Sequence, residues 1–107
     1  MSDDAILDES APDELEPVAD AILRVHDRVE SSGAKEVPME RVLDYLERRY
    51  GMEAKDGGDR ERVAEVVNAY HGDLWVMGPR EGHVGMPTHV IVPEEMAYTI
   101  EKDVLER

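Results

Sequence analysis

The sequence predicts a small α+β domain: a three-helix core, then a C-terminal β-hairpin, then one additional helix. Three observations carry this. Apolar residues recur at helical spacing in three successive segments, and the period then shortens from about 3.6 to 2 beyond Gly72. At 107 residues the chain has room for one domain, and it can bury a core without staples. It has no cysteine, which excludes disulfides, thiolate nucleophiles and Cys-type zinc sites.

Residues 1–16 are acid-rich and low in hydrophobicity, and read as a mobile tail in which Ile6 and Leu7 form a weak docking spot at most. Pro17 suits a first helical turn, and Val18, Ile22, Val25 and Val29 line one face, predicting a helix over 17–32 that ends at Gly33. A short extended piece, Lys35-Glu36-Val37, precedes a second helix over 38–50. Its stripe is Val42, Leu43, Leu46 and Tyr50, its solvated face carries Glu40, Arg41, Asp44, Glu47 and Arg48, and Gly51 stops it. After a seven-residue loop, Asp59 is a candidate N-cap for a third helix over 59–71, with Val63, Val66, Val67 and Tyr70 inward. Leu74–Met77 and Thr88–Val92 alternate as strands around a loop rich in glycine and proline. Pro93 opens a last helix, 93–107, striped by Met96, Ile100 and Val104. The folded unit is thus expected over 17–92, with that helix appended.

Charge is the strongest compositional signal. Twenty-six acids oppose twelve bases, a net charge of −14, and only Lys35, Lys55 and Lys102 among the bases are lysines. Half of the net charge lies in residues 1–16, which hold seven acids and no base. An acidic, Lys-poor surface resembles that of proteins from salt-loving archaea, where carboxylates stay hydrated while molar salt screens their repulsion to a few ångström. The other readings are an ordinary acidic protein or a nucleic-acid mimic. No apolar run approaches the ~18 residues that span a bilayer, and the opening Met-Ser-Asp-Asp lacks the features of a signal peptide. A cytoplasmic protein with no membrane partner is expected.

Helix, short strand, helix, helix and two strands joined by a long loop resembles the winged helix-turn-helix family over residues 17–92. The resemblance implies that helix 59–71 is the reader and loop 79–87 the wing. It further implies double-stranded DNA as partner and a role in transcription regulation. Arg60, Arg62 and Arg80 would then contact phosphates, and Arg62 or Asn68 would reach base edges, since Arg pairs bidentately with guanine and Asn with adenine. The seven-residue connection between helices two and three departs from the family's usual shorter turn. The reader helix also carries Asp59, Glu61 and Glu65, so no dense basic patch accompanies it.

The alternative is a protein-interaction adaptor on the same scaffold. Trp75 either points outward as an aromatic anchor or packs inward, because strand alternation lets only one of the pairs Leu74/Val76 and Trp75/Met77 face the helices. Met96, Ile100 and Val104 either cover the domain's own core or pair with their copies in a homodimer suited to palindromic sites. Enzyme chemistry is not expected. His71, His83 and His89 match no metal spacing, and Gly82–Gly85 precedes no helix that could cradle phosphate. No cofactor is expected.

Overall fold

The computed structural model of the chain describes residues 14–29, 35–81 and 85–106, with Arg80 and Glu81 as backbone only. The elements run α1 (Leu15–Arg28), β1 (Glu36–Pro38), α2 (Met39–Tyr50), α3 (Asp59–Ala69), β2 (Val76–Met77), β3 (Arg80–Glu81), β4 (Met86–Pro87), β5 (His89–Ile91) and α4 (Glu94–Thr99). The final helix continues from α4 into π-helical winding over Ile100–Leu105, where the Glu106 N–H donates to the Glu101 carbonyl. The architecture is the expected α+β fold, winged-helix-like, with a small antiparallel sheet beside the helices.

Helix α1 is the centre of the core. Seven of its residues are buried, including Val18, Ile22 and Val25 of the expected stripe. It touches α2, α3, β1 and the C-terminal π segment, which is why an ordinary one-sided stripe is not enough for it. It starts at Leu15, two residues ahead of the expected Pro17, because Leu15 is buried and anchors the first turn. It ends at Arg28, earlier than expected; the Ser31–Gly33 stop and the tail positions Ile6 and Leu7 lie outside the described residues.

Helix α2 buries Met39, Val42, Leu43 and Leu46, and Gly51 ends it in the left-handed conformation at φ 70°. There its N–H donates to the Glu47 carbonyl. Tyr50 does not join the stripe. It is 38% exposed, and its hydroxyl donates to Asp20 of α1 at 2.7 Å.

The α2–α3 connection is an ordered clasp. Ala54 is fully buried, the Lys55 N–H donates to the Glu47 carboxylate, and Gly57 lies so close to Glu53 that a β-carbon would collide with it. Asp59, expected as an N-cap, instead closes this loop: its carboxylate accepts from the Glu53 N–H at 2.8 Å and its own N–H donates to the Glu53 carbonyl. Gly58 occupies the cap position, without a side-chain cap.

Helix α3 buries Val63, Ala64, Val66 and Val67 and stops at Ala69, before a turn that Gly72 completes at φ 90°. That turn carries Leu74, so the strand begins only at Val76. The expected alternation therefore fails there: Leu74 and Trp75 are both fully buried, while Val76 and Met77 are half-buried.

Strand β5 is central in the order β1-β5-β2, pairing Val37 with Val90 on one side and Met77 with Val90 on the other. Val37, Val90 and Val92 lie on the buried face, two apart along β5 as strand geometry requires. Pro38, which has no N–H to give, is accommodated because β1 is an edge strand, and α2 begins directly after it. Hydrogen bonds from Thr88 to Pro79 and from Gly78 to His89 carry the hairpin outward. There β3 and β4 pair over Arg80–Pro87, so the region expected as an irregular tip contains a second short ladder.

Candidate functional site

The expected reader helix presents a mixed outer surface. Glu61, Arg62, Glu65 and Ala69 are exposed. Arg62 is 65% exposed and lies 3.5 Å from the Glu14 carboxylate at the start of α1. Arg60 is half-buried, and its Nη1 donates to the Lys55 carbonyl at 3.0 Å, tying α3 to the clasp. Asn68 is also turned into the chain. Its Nδ2 donates to the Ala64 carbonyl within α3 at 2.7 Å and to the Gly85 carbonyl at 3.1 Å, so both amide hydrogens are engaged and the second ties the β3–β4 hairpin to α3. Arg80 stands in β3, opposite Pro87, at the base of the β3–β4 ladder. Of the other three expected contact residues, Arg60 and Asn68 are turned to the chain's own carbonyls and Arg62 alone is exposed.

The expected partner surface is largely interior. Trp75 is fully buried, donates Nε1–H to the Val67 carbonyl at 2.9 Å, and meets Tyr70 edge-on at 6.4 Å between ring centroids. It anchors α3 rather than a partner. Ile100 and Val104 are buried against the domain's own core, and Met96 packs partly against it. The same stripe is therefore not free to pair with a second copy, because the wide π winding presses it onto α1. Tyr98, on the opposite side of α4, is 66% exposed.

Two of the three histidines considered for metal binding are described. His71 Nδ1 accepts the Met77 N–H at 3.0 Å, and His89 Nδ1 contacts the Thr88 hydroxyl at 3.0 Å. His83 lies outside the described residues. Among the described residues no three histidines or carboxylates are grouped to hold a metal ion.

A surface that the sequence reading passes over as a solvated face lies across α2. A cleft of about 320 Å³ between α1 and α2 is lined by Val25, Arg28, Arg41, Tyr45, Arg48 and Lys55, with Glu40 and Asp44 among them. A second, of about 450 Å³, lies between the clasp, the start of α2 and β4, and adds Arg60 and Met86. Both include Glu40 and Lys55, so the two clefts are neighbours along α2. Arg41 and Arg48 are seven apart on α2, a spacing visible in the sequence. That Arg28, Lys55 and Arg60 converge on them depends on how α1 and the clasp pack.

Along the same helix pair, Asp20 is a node that Tyr45 connects to the first cleft. It takes the hydroxyls of Tyr50 and Tyr45 and pairs with Arg24 at 3.1 Å. Partial burial first, then the hydrogen bond and the charge of Asp20, push the Tyr50 phenol up to about 12.

Comparison with protein-family models, with curated proteins and with solved structures returned no match. Among the described residues no helix is long and apolar enough to cross a membrane.

Proposed function

We propose that the chain is a non-catalytic protein-interaction module on a winged-helix scaffold, acting in the cytoplasm, in preference to a reader of duplex DNA. The observation that supports this is the outer face of α3. A duplex presents one phosphate charge per ~1.7 Å of axis, so a reader surface needs several cations at contact. Here the exposed positions are Glu61, Arg62 and Glu65, and Arg62 already faces Glu14. Arg60 and Asn68, which would supply further donors, hold the clasp and the hairpin instead. Molar salt weakens the long-range repulsion of an acidic chain, but carboxylates placed directly against phosphates remain unfavourable.

Duplex binding is the second reading, favoured by one observation. The α3 surface and the β3–β4 hairpin stand side by side, joined through Asn68 and Gly85, as a helix and wing in the winged helix-turn-helix family would. Titration of labelled mixed-sequence duplex, at KCl from low to molar concentration, separates the two. The interaction reading expects no saturable binding to duplex, and expects specific enrichment when a random peptide library is panned on the immobilised chain. Saturable duplex binding that Arg62→Glu abolishes would sink it and restore α3 as the reader.

Adaptation to a salt-rich cytoplasm belongs to the same proposal, supported by the excess of 26 acids over 12 bases. The thermal midpoint is expected to rise by several degrees or more between dilute buffer and molar KCl, as self-repulsion is screened. A midpoint independent of salt would count against it.

A further inference from the structure

We infer that the groove across α2 is the contact surface of this module, and that it takes an extended peptide segment in which acidic residues alternate with apolar ones. This rests on the interaction reading above and assigns its site and partner chemistry. Charge segregation is the first argument. Arg28, Arg41, Arg48, Lys55 and Arg60 line the groove, five of the chain's twelve bases, against only Glu40, Asp44 and Asp56 of its twenty-six acids. A chain with more than twice as many acids as bases thus reverses sign along one strip of its surface.

Two of these five cations are unpaired among the described residues, and the other three are only partly satisfied. Arg28 and Arg41 are exposed and make no ion pair among the described residues. Arg48 and Lys55 share the single carboxylate of Asp44, at 2.8 and 3.6 Å. Arg60 is held through one N–H by the Lys55 carbonyl and adds its charge to the strip rather than a free fork of donors. The start of α2 lies in the same strip with no side-chain cap; the Met39 N–H donates to the Thr88 carbonyl, and the positive end of the helix dipole still favours an acid nearby.

Shape and lining select the partner class. The two clefts are neighbours through Glu40 and Lys55, which suits a chain that spans both better than a compact ligand. Met39, Leu43 and Met86 reach the floor of one cleft and Val25 that of the other, offering apolar contacts between the charges. A nucleic-acid strand would set phosphates at regular intervals against Glu40, Asp44 and Asp56. A peptide can place apolar residues opposite those carboxylates and acids opposite the arginines, so the mixed charge becomes a register.

The test uses the full chain and a labelled peptide of repeating Asp-Leu-Glu-Ile. Its controls are the same peptide with lysine replacing the acids, and an oligo(dT) of matching charge. The acidic peptide is expected to bind and the lysine peptide not to. The double variant Arg28→Glu/Arg41→Glu should weaken the acidic peptide about tenfold or more, each reversal turning an attraction into a repulsion. Arg62→Glu should leave binding unchanged, and added KCl should weaken it. Because Arg28 and Arg41 have no ion-pair partner among the described residues, circular dichroism of the double variant should match the parent. Peptide binding indifferent to that double variant would overturn the groove while leaving the interaction reading in place. Tighter oligo(dT) binding with the same sensitivity would overturn the peptide class, and no binding of either probe would overturn the inference outright. Only duplex binding through Arg62 would remove the underlying reading as well.

Discussion

Helices α2 and α3 are near-equal in length, 12 and 11 residues, and each buries four apolar side chains, yet their polar sides have opposite fates. On α3 the polar groups with reach are engaged by the chain itself: Arg60 by the clasp, Asn68 by the hairpin and Arg62 by Glu14. On α2, Arg41 makes no ion pair among the described residues and Arg48 competes with Lys55 for one carboxylate. The place of a helix in the element order is therefore a poor guide to whether its cations are open. What decides is whether its donors already have acceptors.

The comparison can be broken most forcefully at α3's inward ties. Trp75→Ala removes the largest fully buried side chain and the bond to the Val67 carbonyl, and is expected to cost about 4 kcal/mol in urea unfolding. A loss below about 1 kcal/mol would mean that Trp75 is a surface anchor after all. Asn68→Ala should cost about 1–2 kcal/mol, because it strips the Gly85 carbonyl of its donor and unpins the hairpin. Faster amide exchange at Met86 should accompany it. An Asn68 serving only to read a ligand would leave both unchanged.

Tyr50 sharpens the α2 side through pH. Its phenol binds a proton more tightly folded, at about 12, than at the ordinary 10.0, so its contribution is complete below pH about 10. That contribution is lost as pH rises through about 12. The parent should therefore lose more stability than Tyr50→Phe over this window, by a modest amount because the ring is 38% exposed. Equal pH profiles would remove the Tyr50–Asp20 link. Smallest of all is Arg41→Ala, expected to shift stability by no more than about 0.5 kcal/mol, since no ion pair holds its guanidinium among the described residues. A larger loss would show that α2's charges, like α3's, are structural.

Much of the fold was legible because apolar spacing is a local property. Val42, Leu43 and Leu46, or Val63, Val66 and Val67, declare a buried face with no knowledge of what covers it. The change of period after Gly72 likewise located the hairpin, and Gly51 the end of α2. The errors arose where a turn intervened. Gly72 to Leu74 rotate the chain before β2, so Leu74 and Trp75 face inward together and simple alternation does not apply. Asp59 looked like a cap because its neighbours in sequence are helical, but its carboxylate is closer to the Glu53 N–H across the clasp.

The sequence by itself determined the class of fold, its three buried helical faces and the acidic character of the chain, since composition and periodicity need no partner in space. Only the tertiary structure decided which charges are free. Arg60 and Asn68 meet backbone carbonyls that lie 5 and 17 residues away, and Arg28, Arg41 and Lys55 converge from α1, α2 and the clasp. Whether a polar group is available for binding depends on acceptors brought near by packing, and apolar spacing carries no record of them.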